Sequence, residues 1–452
     1  VPRPTVCDLL MPKLPDDRAR PAHLGGAVLS RRRLLQAGAA VPFAGLAARP
    51  AIARAGVPAR ERRFLFVFVS GGWDLSWGLY PMFDNPRVDS PTDGSAPATA
   101  GGLQYVDGPG RPSVRRWFNR WASATSLLHG FEVRSVAHAN CRRLVLTGTA
   151  GAYGDDWPTL IAAHGVGPDT ALPHLIVSGP GFSGSYPEIV GRVGATGQLS
   201  ALLNMGMLER RDVPLAPLLP SGQEAVAAWL ANRSASVASS APTAAARQLH
   251  EDLASARAGL PALEAAFAET AVGTAIEFPD QLRVACDVLQ GGISRCALVR
   301  HNGFQDTTWD NHGGIEAMAL HHEDLFSGLE VLMDELTERP GLAGGRLLDD
   351  TCVVVVSEMS RHPQLNGTMG KDHWTWTSAM LIGAGVAGGT MVGEYDDEVF
   401  GRSIDPNPVA PTTSGVKMES RHLGATLLAL ADIDPDRVFE LDTPPIAAVM
   451  AE

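Results

Sequence analysis

Short apolar segments that alternate with helical patterns constrain the fold of this chain most. Arg63–Ser70 (RFLFVFVS) and Asp350–Ser357 (DTCVVVVS) are apolar at consecutive positions, as strands covered on both faces are. The remaining predicted strands are Val133–His138, His174–Ser178, Ile293–His301 and Ser378–Ile382. The predicted helices are Asp155–Gly165, Gly314–Glu338 and Ser420–Ala431. This order predicts an α/β fold, in which a mostly parallel sheet carries helices on both faces.

One long segment interrupts the alternation. Gln223–Ala271 is rich in Ala, Leu and Glu and is broken by Pro242 and Pro261. It predicts a helical insertion, at about residues 221–275, within a domain that spans residues 56–452.

The first 55 residues have the features of an export signal. Ser30–Gln36 (SRRRLLQ) fits the twin-arginine pattern, a weakly apolar run follows at Ala37–Ala48, and Ala53-Arg54-Ala55 resembles a cleavage site. We therefore expect a leader at residues 1–55, the twin-arginine export machinery as a partner, and a periplasmic or secreted product. The alternative is a basic amphipathic helix of the folded domain. The apolar run is too short to span a membrane, and no other segment is a candidate for a span.

Charge and cysteine content narrow the function. The net charge of −12 argues against general binding to nucleic acid or anionic membranes, which requires a basic surface. Four of the five cysteines follow the leader, and none of them is in a C-x-x-C pair, so a thiolate zinc site is not expected. A disulfide between Cys286 and Cys296 and buried free thiols both remain open.

Acidic and imidazole side chains follow several of the predicted strands. In a parallel sheet, the carboxyl ends of the strands meet at one edge, where binding sites form. Oxygen and imidazole ligands suit divalent ions such as Zn, Mg, Mn or Ca, and six ligands approach the number that two ions need. The candidate metal ligands are Asp74, Asp310, His312, Glu358, Asp372 and His373. For His138, a ligand role and a core role are both open.

The same segments carry a family resemblance. FVSGGWD, TTWDNHGG, VVVVSEMSRHP and GKDHWTWTSAMLIGAGVAGGTMVGE resemble the blocks of a secreted bacterial family named domain of unknown function 1501. That family resembles the alkaline phosphatase and sulfatase superfamily, which implies an α/β fold with a one-metal or two-metal hydrolytic centre. The resemblance implies that Asp74 holds or bridges the first ion and that Asp310 and His312 serve one ion. It also implies that Glu358 and His373 complete the ligand set, with Asp372 beside them.

The resemblance leaves the catalytic groups less defined. Arg361 matches the family's arginine, which implies that it faces an anionic group. Members of the superfamily use Ser, Thr or formylglycine as nucleophile, and CRRLV at Cys141 does not fit the Cys-x-Pro-x-Arg signal for formylglycine. Thr149, or its neighbour Thr147, is the candidate nucleophile. The expected function is an exported metal-dependent hydrolase of a small anionic phosphate or sulfate ester. The alternative is a non-catalytic, metal-stabilised binding or assembly protein.

Overall fold

The computed structural model describes residues 57–152, 154–165, 170–193, 220–267, 277–406, 409–411, 415–438 and 443–451. All of them belong to the predicted domain at 56–452. The predicted leader, with Cys7, lies outside the described residues, and so does the end of the predicted insertion.

A central eight-stranded sheet organises the chain in the order β12-β4-β11-β8-β1-β7-β5-β6. Its strands are β1 (Arg63–Val69), β4 (Thr125–Glu132), β5 (His174–Ile176), β6 (Val190–Arg192), β7 (Cys296–His301), β8 (Thr351–Ser357), β11 (Trp376–Gly383) and β12 (Thr390–Val392). Only β11 is antiparallel within this sheet, to β4 and β8. Three two-stranded ribbons are formed by β2 (Ala96–Ala100) with β3 (Leu103–Asp107), β9 (Ser360–Leu365) with β10 (Lys371–Trp374), and β13 (Ile404–Pro406) with β14 (Val409–Pro411).

Helices cover the sheet on both faces, which confirms the predicted fold class. They are α1 (Pro112–Trp121), α2 (His138–Thr147), α3 (Trp157–His164), α4 (Pro220–Ser240), α5 (Ala244–Phe267), α6 (Phe278–Gln290), α7 (Ala317–Glu338), α8 (Leu347–Asp350), α9 (Ser420–Leu430) and α10 (Pro435–Val438). Alternate residues of each strand enter opposite cores. Leu65 and Val67 pack with residues of α1, α6 and α7, whereas Phe64 and Phe66 pack with residues of α2, α3 and α9.

One predicted strand is wrong. Val133–His138 is not a strand: the chain is extended over β4, which ends at Glu132, and α2 begins at His138. Arg134 has a positive φ of 64°, so the backbone turns there and cannot continue the ladder. The sequence does not indicate β4 itself, because Ser126, His129 and Gly130 interrupt its apolar pattern, although the sheet buries them.

The described part of the predicted insertion is the helical pair α4 and α5. Most of its described side chains are exposed, including Trp229 and Leu249. No helix among the described residues has both the length and the apolar character needed to cross a membrane. The four described cysteines are buried free thiols, so Cys286 and Cys296 are not joined.

The sheet topology brings distant segments to one edge. β4, β8, β1 and β7 run in the same direction, so their carboxyl ends lie together. The reversed β11 lies between β4 and β8 and starts at that same edge. Residues that follow four strands and residues that precede a fifth can therefore meet there.

Candidate metal centre

Asp310 is the centre of a cluster at this edge. Its Oδ1 lies 3.1 Å from Nε2 of His312 and 3.1 Å from Nε2 of His373. Its Oδ2 lies 3.1 Å from Nε2 of His138. The ligand atoms of His138, Asp310 and His373 all lie within 4.8 Å of one another. Three segments, after β7, after β4 and before β11, therefore place donor atoms around one carboxylate.

The loop that carries Asp310 packs closely against the end of β1. Thr308 has a positive φ of 73°, which is strained for a β-branched residue. Gly71 is required opposite it, because a Cβ there would lie 2.5 Å from the backbone nitrogen of Asp310. The Gly-Gly pair after β1 thus allows the Asp310 loop to approach the sheet edge.

Hydrogen bonds fix how the two facing histidines present their rings. Nδ1 of His312 lies 3.0 Å from Oδ1 of Asp372, and Nδ1 of His373 lies 2.6 Å from the carbonyl oxygen of Val136. Each Nδ1 therefore donates a proton to its oxygen, and in the neutral form each ring offers the lone pair of its Nε2. A β-bulge between Lys371 and His373 lets the neighbouring residues Asp372 and His373 both reach His312.

This arrangement fits a metal ion. The two Nε2 atoms lie 2.9 Å apart, and both face Oδ1 of Asp310, so three potential ligand atoms converge on one point. A cation at their centre would offset the repulsion among their lone pairs. In a tetrahedral zinc site with ligands at about 2.0–2.1 Å, ligand atoms are separated by about 3.3 Å, close to the spacing here. A carboxylate behind one imidazole and a carbonyl behind the other are the usual outer partners of metal-binding histidines.

Glu358 lies behind His138. It is fully buried, and its Oε1 accepts hydrogen bonds from the backbone N–H of Gly71 (2.8 Å) and from Nδ1 of His138 (3.1 Å). The bond to Glu358 is the main reason that the pKa of His138 is raised above its ordinary value. The predicted ligand Glu358 thus orients an imidazole instead of facing the three convergent atoms.

Arg361 is a buried hydrogen-bond partner of Asp310. Its side chain has no exposed surface, and it donates to the carbonyl oxygens of Gly72 (3.0 Å), Lys371 (3.2 Å) and Gly71. Its Nη2 also donates to Oδ1 of Asp310 at 2.7 Å. Burial alone would raise the pKa of Asp310, but the hydrogen bond and charge of Arg361 outweigh it and bring that pKa below its ordinary value. Arg361 therefore has its donors on protein oxygens, and its charge favours the ionised form of Asp310.

Asp74 also lies outside the cluster. Its Oδ1 accepts hydrogen bonds from the backbone N–H (3.0 Å) and the hydroxyl (2.7 Å) of Ser76. Its Oδ2 lies 2.8 Å from Nζ of Lys371, and both side chains of this ion pair are buried. These contacts give the carboxylate of Asp74 a structural partner.

Thr149 is remote from the cluster. It is exposed and follows the carboxyl end of α2, whereas His138 begins that helix. Ten helical residues span about 15 Å, so the two ends of α2 are that far apart. The hydroxyl of Thr149 accepts the backbone N–H of Gly151 at 3.2 Å, which is an ordinary turn contact.

Two residues of α2 were not identified from the sequence as site residues. The sequence leaves a ligand role and a core role open for His138, and it does not single out Arg142, one turn later. Arg142 lies 3.4 Å from Oε1 of Glu358 and 3.5 Å from Oγ of Ser70. The i, i+4 spacing of His138 and Arg142 places them on one face of a helix. This signal is hidden when Val133–His138 is predicted to be a strand.

Solved structures that this chain resembles include a protein of the alkaline phosphatase superfamily. A protein of that superfamily from Vibrio parahaemolyticus has 10% identity and a TM-score of 0.35, over 82% of this chain and 67% of that one. A protein tied to glycosaminoglycan metabolism by Bacteroides thetaiotaomicron has 8% identity and a TM-score of 0.40, over 86% and 76%. Likenesses of this strength say nothing about what this chain binds.

The sequence itself gives a firmer assignment. No curated protein sequence matches the chain. The family described as Protein of unknown function (DUF1501) matches residues 161–442, a span that includes Asp310, His312 and His373. The match covers more than half of the 452 residues. The chain therefore belongs to the DUF1501 family.

Proposed function

We propose that this protein is an exported hydrolase of phosphate or sulfate esters that uses one divalent ion. The ion is assigned to Asp310, His312 and His373. The observation that carries the proposal is the convergence of two Nε2 atoms and one carboxylate oxygen within 2.9–3.1 Å of one another. The proposal is for one ion instead of the two expected from the sequence, because Asp74 and Glu358 have other partners.

The surrounding residues support this role. An ion held there would act as a Lewis acid and polarise an ester oxygen. Asp310 stays ionised beside Arg361, and Asp372 and the carbonyl of Val136 keep both ligand imidazoles in the required tautomer.

His138 is proposed as the residue that moves a proton. Its Nδ1 donates to the buried Glu358, and its Nε2 lies 3.1 Å from Oδ2 of Asp310, so the ring lies between two carboxylates. A histidine held in this way can carry a proton at Nε2 and pass it to the departing ester oxygen as a general acid. Such a group contributes about 10²- to 10⁴-fold to the rate.

The test separates these roles. Purified protein is analysed for metal content and assayed with 4-nitrophenyl phosphate, bis(4-nitrophenyl) phosphate and 4-nitrophenyl sulfate, with and without chelator. We expect His373→Gln to lose both metal and turnover, and His138→Gln to keep metal and lose turnover. His164→Gln is the control: His164 ends α3 and its Nε2 lies 3.0 Å from the hydroxyl of Tyr186, so this change should affect neither metal nor turnover. Wild-type turnover that survives full metal removal would refute the proposal.

A second function has one observation in its favour. The remote position of Thr149 leaves the chain without its predicted nucleophile. A metal-stabilised binding or assembly protein would keep the ion and need no nucleophile. In that case metal would raise the melting temperature, and none of the three esters would be cleaved.

Export is part of the proposal and rests on the sequence Ser30–Gln36. Replacing Arg31, Arg32 and Arg33 by Lys should retain the protein in the cytoplasm of a bacterial host with a twin-arginine system. Unchanged periplasmic recovery of this variant would argue against that route.

A further inference from the structure

We propose that Arg142 binds the tetrahedral oxyanion group of the substrate, at a subsite formed by the first turns of α2. The inference deepens the proposed function and rests on it for the reaction, but the subsite itself can be measured by anion binding alone.

The argument begins with Arg361, which the family resemblance would place against the anion. The side chain of Arg361 has no exposed surface, and its Nε, Nη1 and Nη2 all donate to protein oxygens. A guanidinium in that position has no face left for a ligand. An anionic ester at the cluster therefore needs a different cation.

Arg142 has the exposure and the free capacity that Arg361 lacks. Its side chain is 39% exposed, although it lies at the same buried carboxylate, Glu358, that holds His138. Its contacts to Glu358 and Ser70, at 3.4 and 3.5 Å, are longer than the 2.7–2.9 Å that is typical of a charge-assisted hydrogen bond. The guanidinium is thus oriented by weak contacts and keeps donors for a planar, two-point bond to an oxyanion.

The position of Arg142 on α2 directs it to the cluster. His138 and Arg142 are four residues apart on one helix, so they share a face, and their Cβ atoms are about 5–6 Å apart. Both contact the same oxygen of Glu358. An anion bound to Arg142 would therefore lie on the same helix face as His138.

The helix end adds to the attraction. α2 starts without a side-chain cap, because its N-cap residue is Ala137, and Ala139 and Asn140 in its first turn are exposed. The positive end of the helix dipole is thus accessible to an anion beside Arg142. In a chain of net charge −12, a local positive site of this kind is needed to admit an anionic substrate.

The neighbouring basic residues are engaged elsewhere. Arg134 pairs with Glu419 at 3.3 Å, and Lys371 is buried against Asp74. Arg143 donates to the carbonyl oxygens of Gly151 and Ala152, and its guanidinium lies over the ring of Phe182. Arg143 is consequently a matched control: it is the same residue type, on the same helix, facing away from the cluster.

The experiment measures binding of inorganic phosphate and, separately, inorganic sulfate by titration calorimetry, with metal-loaded and metal-free protein. We expect Arg142→Met to weaken binding about 10- to 100-fold, the value of a charged hydrogen-bonded contact, at unchanged metal content. Arg143→Met should bind both anions as the wild type does. If Arg142→Met loses affinity for phosphate alone or for sulfate alone, that anion identifies the ester class. If its affinity for both anions is unchanged, the proposal is overturned.

Two further outcomes are also decisive. If Arg142→Met loses its metal, the variant Arg142→Lys is tested in its place. Weaker anion binding by Arg142→Lys at full metal content supports the subsite, and unchanged binding refutes the subsite. If the wild type binds no metal and cleaves no ester, the hydrolase proposal fails. Arg142-dependent phosphate binding by the same protein would then still establish the subsite.

Discussion

The buried ion pair between Asp74 and Lys371 allows a sharp test of what Asp74 does. The sequence suggests a metal ligand, whereas the structure places its Oδ2 2.8 Å from Nζ of Lys371, with side chains 3% and 0% exposed. At that distance the attraction is about 6 kcal/mol for an effective dielectric constant of about 20. Much of it offsets the cost of removing both charges from water.

The perturbation is Asp74→Asn, which keeps the shape and removes the charge. Lys371 is then a buried cation without a counterion, and breaking such a pair costs about 3–5 kcal/mol of unfolding free energy. The double variant Asp74→Asn, Lys371→Met removes both charges, and we expect it to recover most of this loss. Chemical unfolding in urea, in the presence of chelator, measures all three proteins without a contribution from metal.

The outcome separates the two roles. A structural pair predicts a large loss in Asp74→Asn, recovery in the double variant and unchanged metal content in both. A metal ligand predicts little change in the chelated protein and a loss of bound metal. If the unfolding free energy of Asp74→Asn stays within about 1 kcal/mol of the wild type, the reasoning from the ion pair is refuted.

Three further predictions follow from the same contacts. Asp372→Asn should weaken metal binding about 10- to 100-fold without abolishing it, because Asp372 acts through His312. A competitive chelator titration measures the affinity, and equal affinity in both proteins would show that His312 needs no carboxylate. Thr149→Val should leave ester hydrolysis within about twofold of the wild type, since Thr149 lies about 15 Å from His138 along α2, and a large fall in kcat would restore it as nucleophile. Burial lowers the pKa of His129 to about 3, so the unfolded chain takes up a proton below pH 6.5 while the folded protein does not. The free energy of unfolding should thus fall as the pH drops from about 6.5 toward 3, by about 2 kcal/mol at pH 5 from this residue alone. In urea unfolding, the stability of His129→Gln should depend less on pH, and an equal pH slope in both proteins would contradict this prediction.

The fold could be predicted from local patterns because its central strands are covered on both faces. β1 and β8 are apolar at almost every position, so periodicity alone indicates strands that are covered on both faces. β4 was missed for the opposite reason: His129 and Ser378 satisfy each other's polar groups at 2.8 Å inside the sheet, and a single sequence does not show that pairing. The consequence is functional, because the end of β4 determines where α2 begins, and α2 carries His138 and Arg142.

The convergence of Asp310, His312, Asp372 and His373 could be anticipated from the strand-end rule alone. What could not be anticipated was which acidic group would find a different partner. Nothing in the local sequence around Asp74 indicates Lys371, which is nearly 300 residues away and joins it only through the β9–β10 ribbon. Which distant charges pair with one another depends on the folded structure. This pairing decides whether an acidic residue faces the centre, as Asp310 does, or binds another side chain, as Asp74 does.

The pairing of β9 with β10 affects how the centre tolerates change. His373 lies on β10 opposite Arg361 on β9, so the register of this ribbon sets the position of the imidazole. The turn between the two strands also reaches the centre: Asn366 and Thr368 donate hydrogen bonds to the carbonyl oxygen of His312, and Asn366 donates to Asp372 as well. Relatives should therefore keep the length of this turn, and a peptide tag inserted at Gly367 should weaken metal binding.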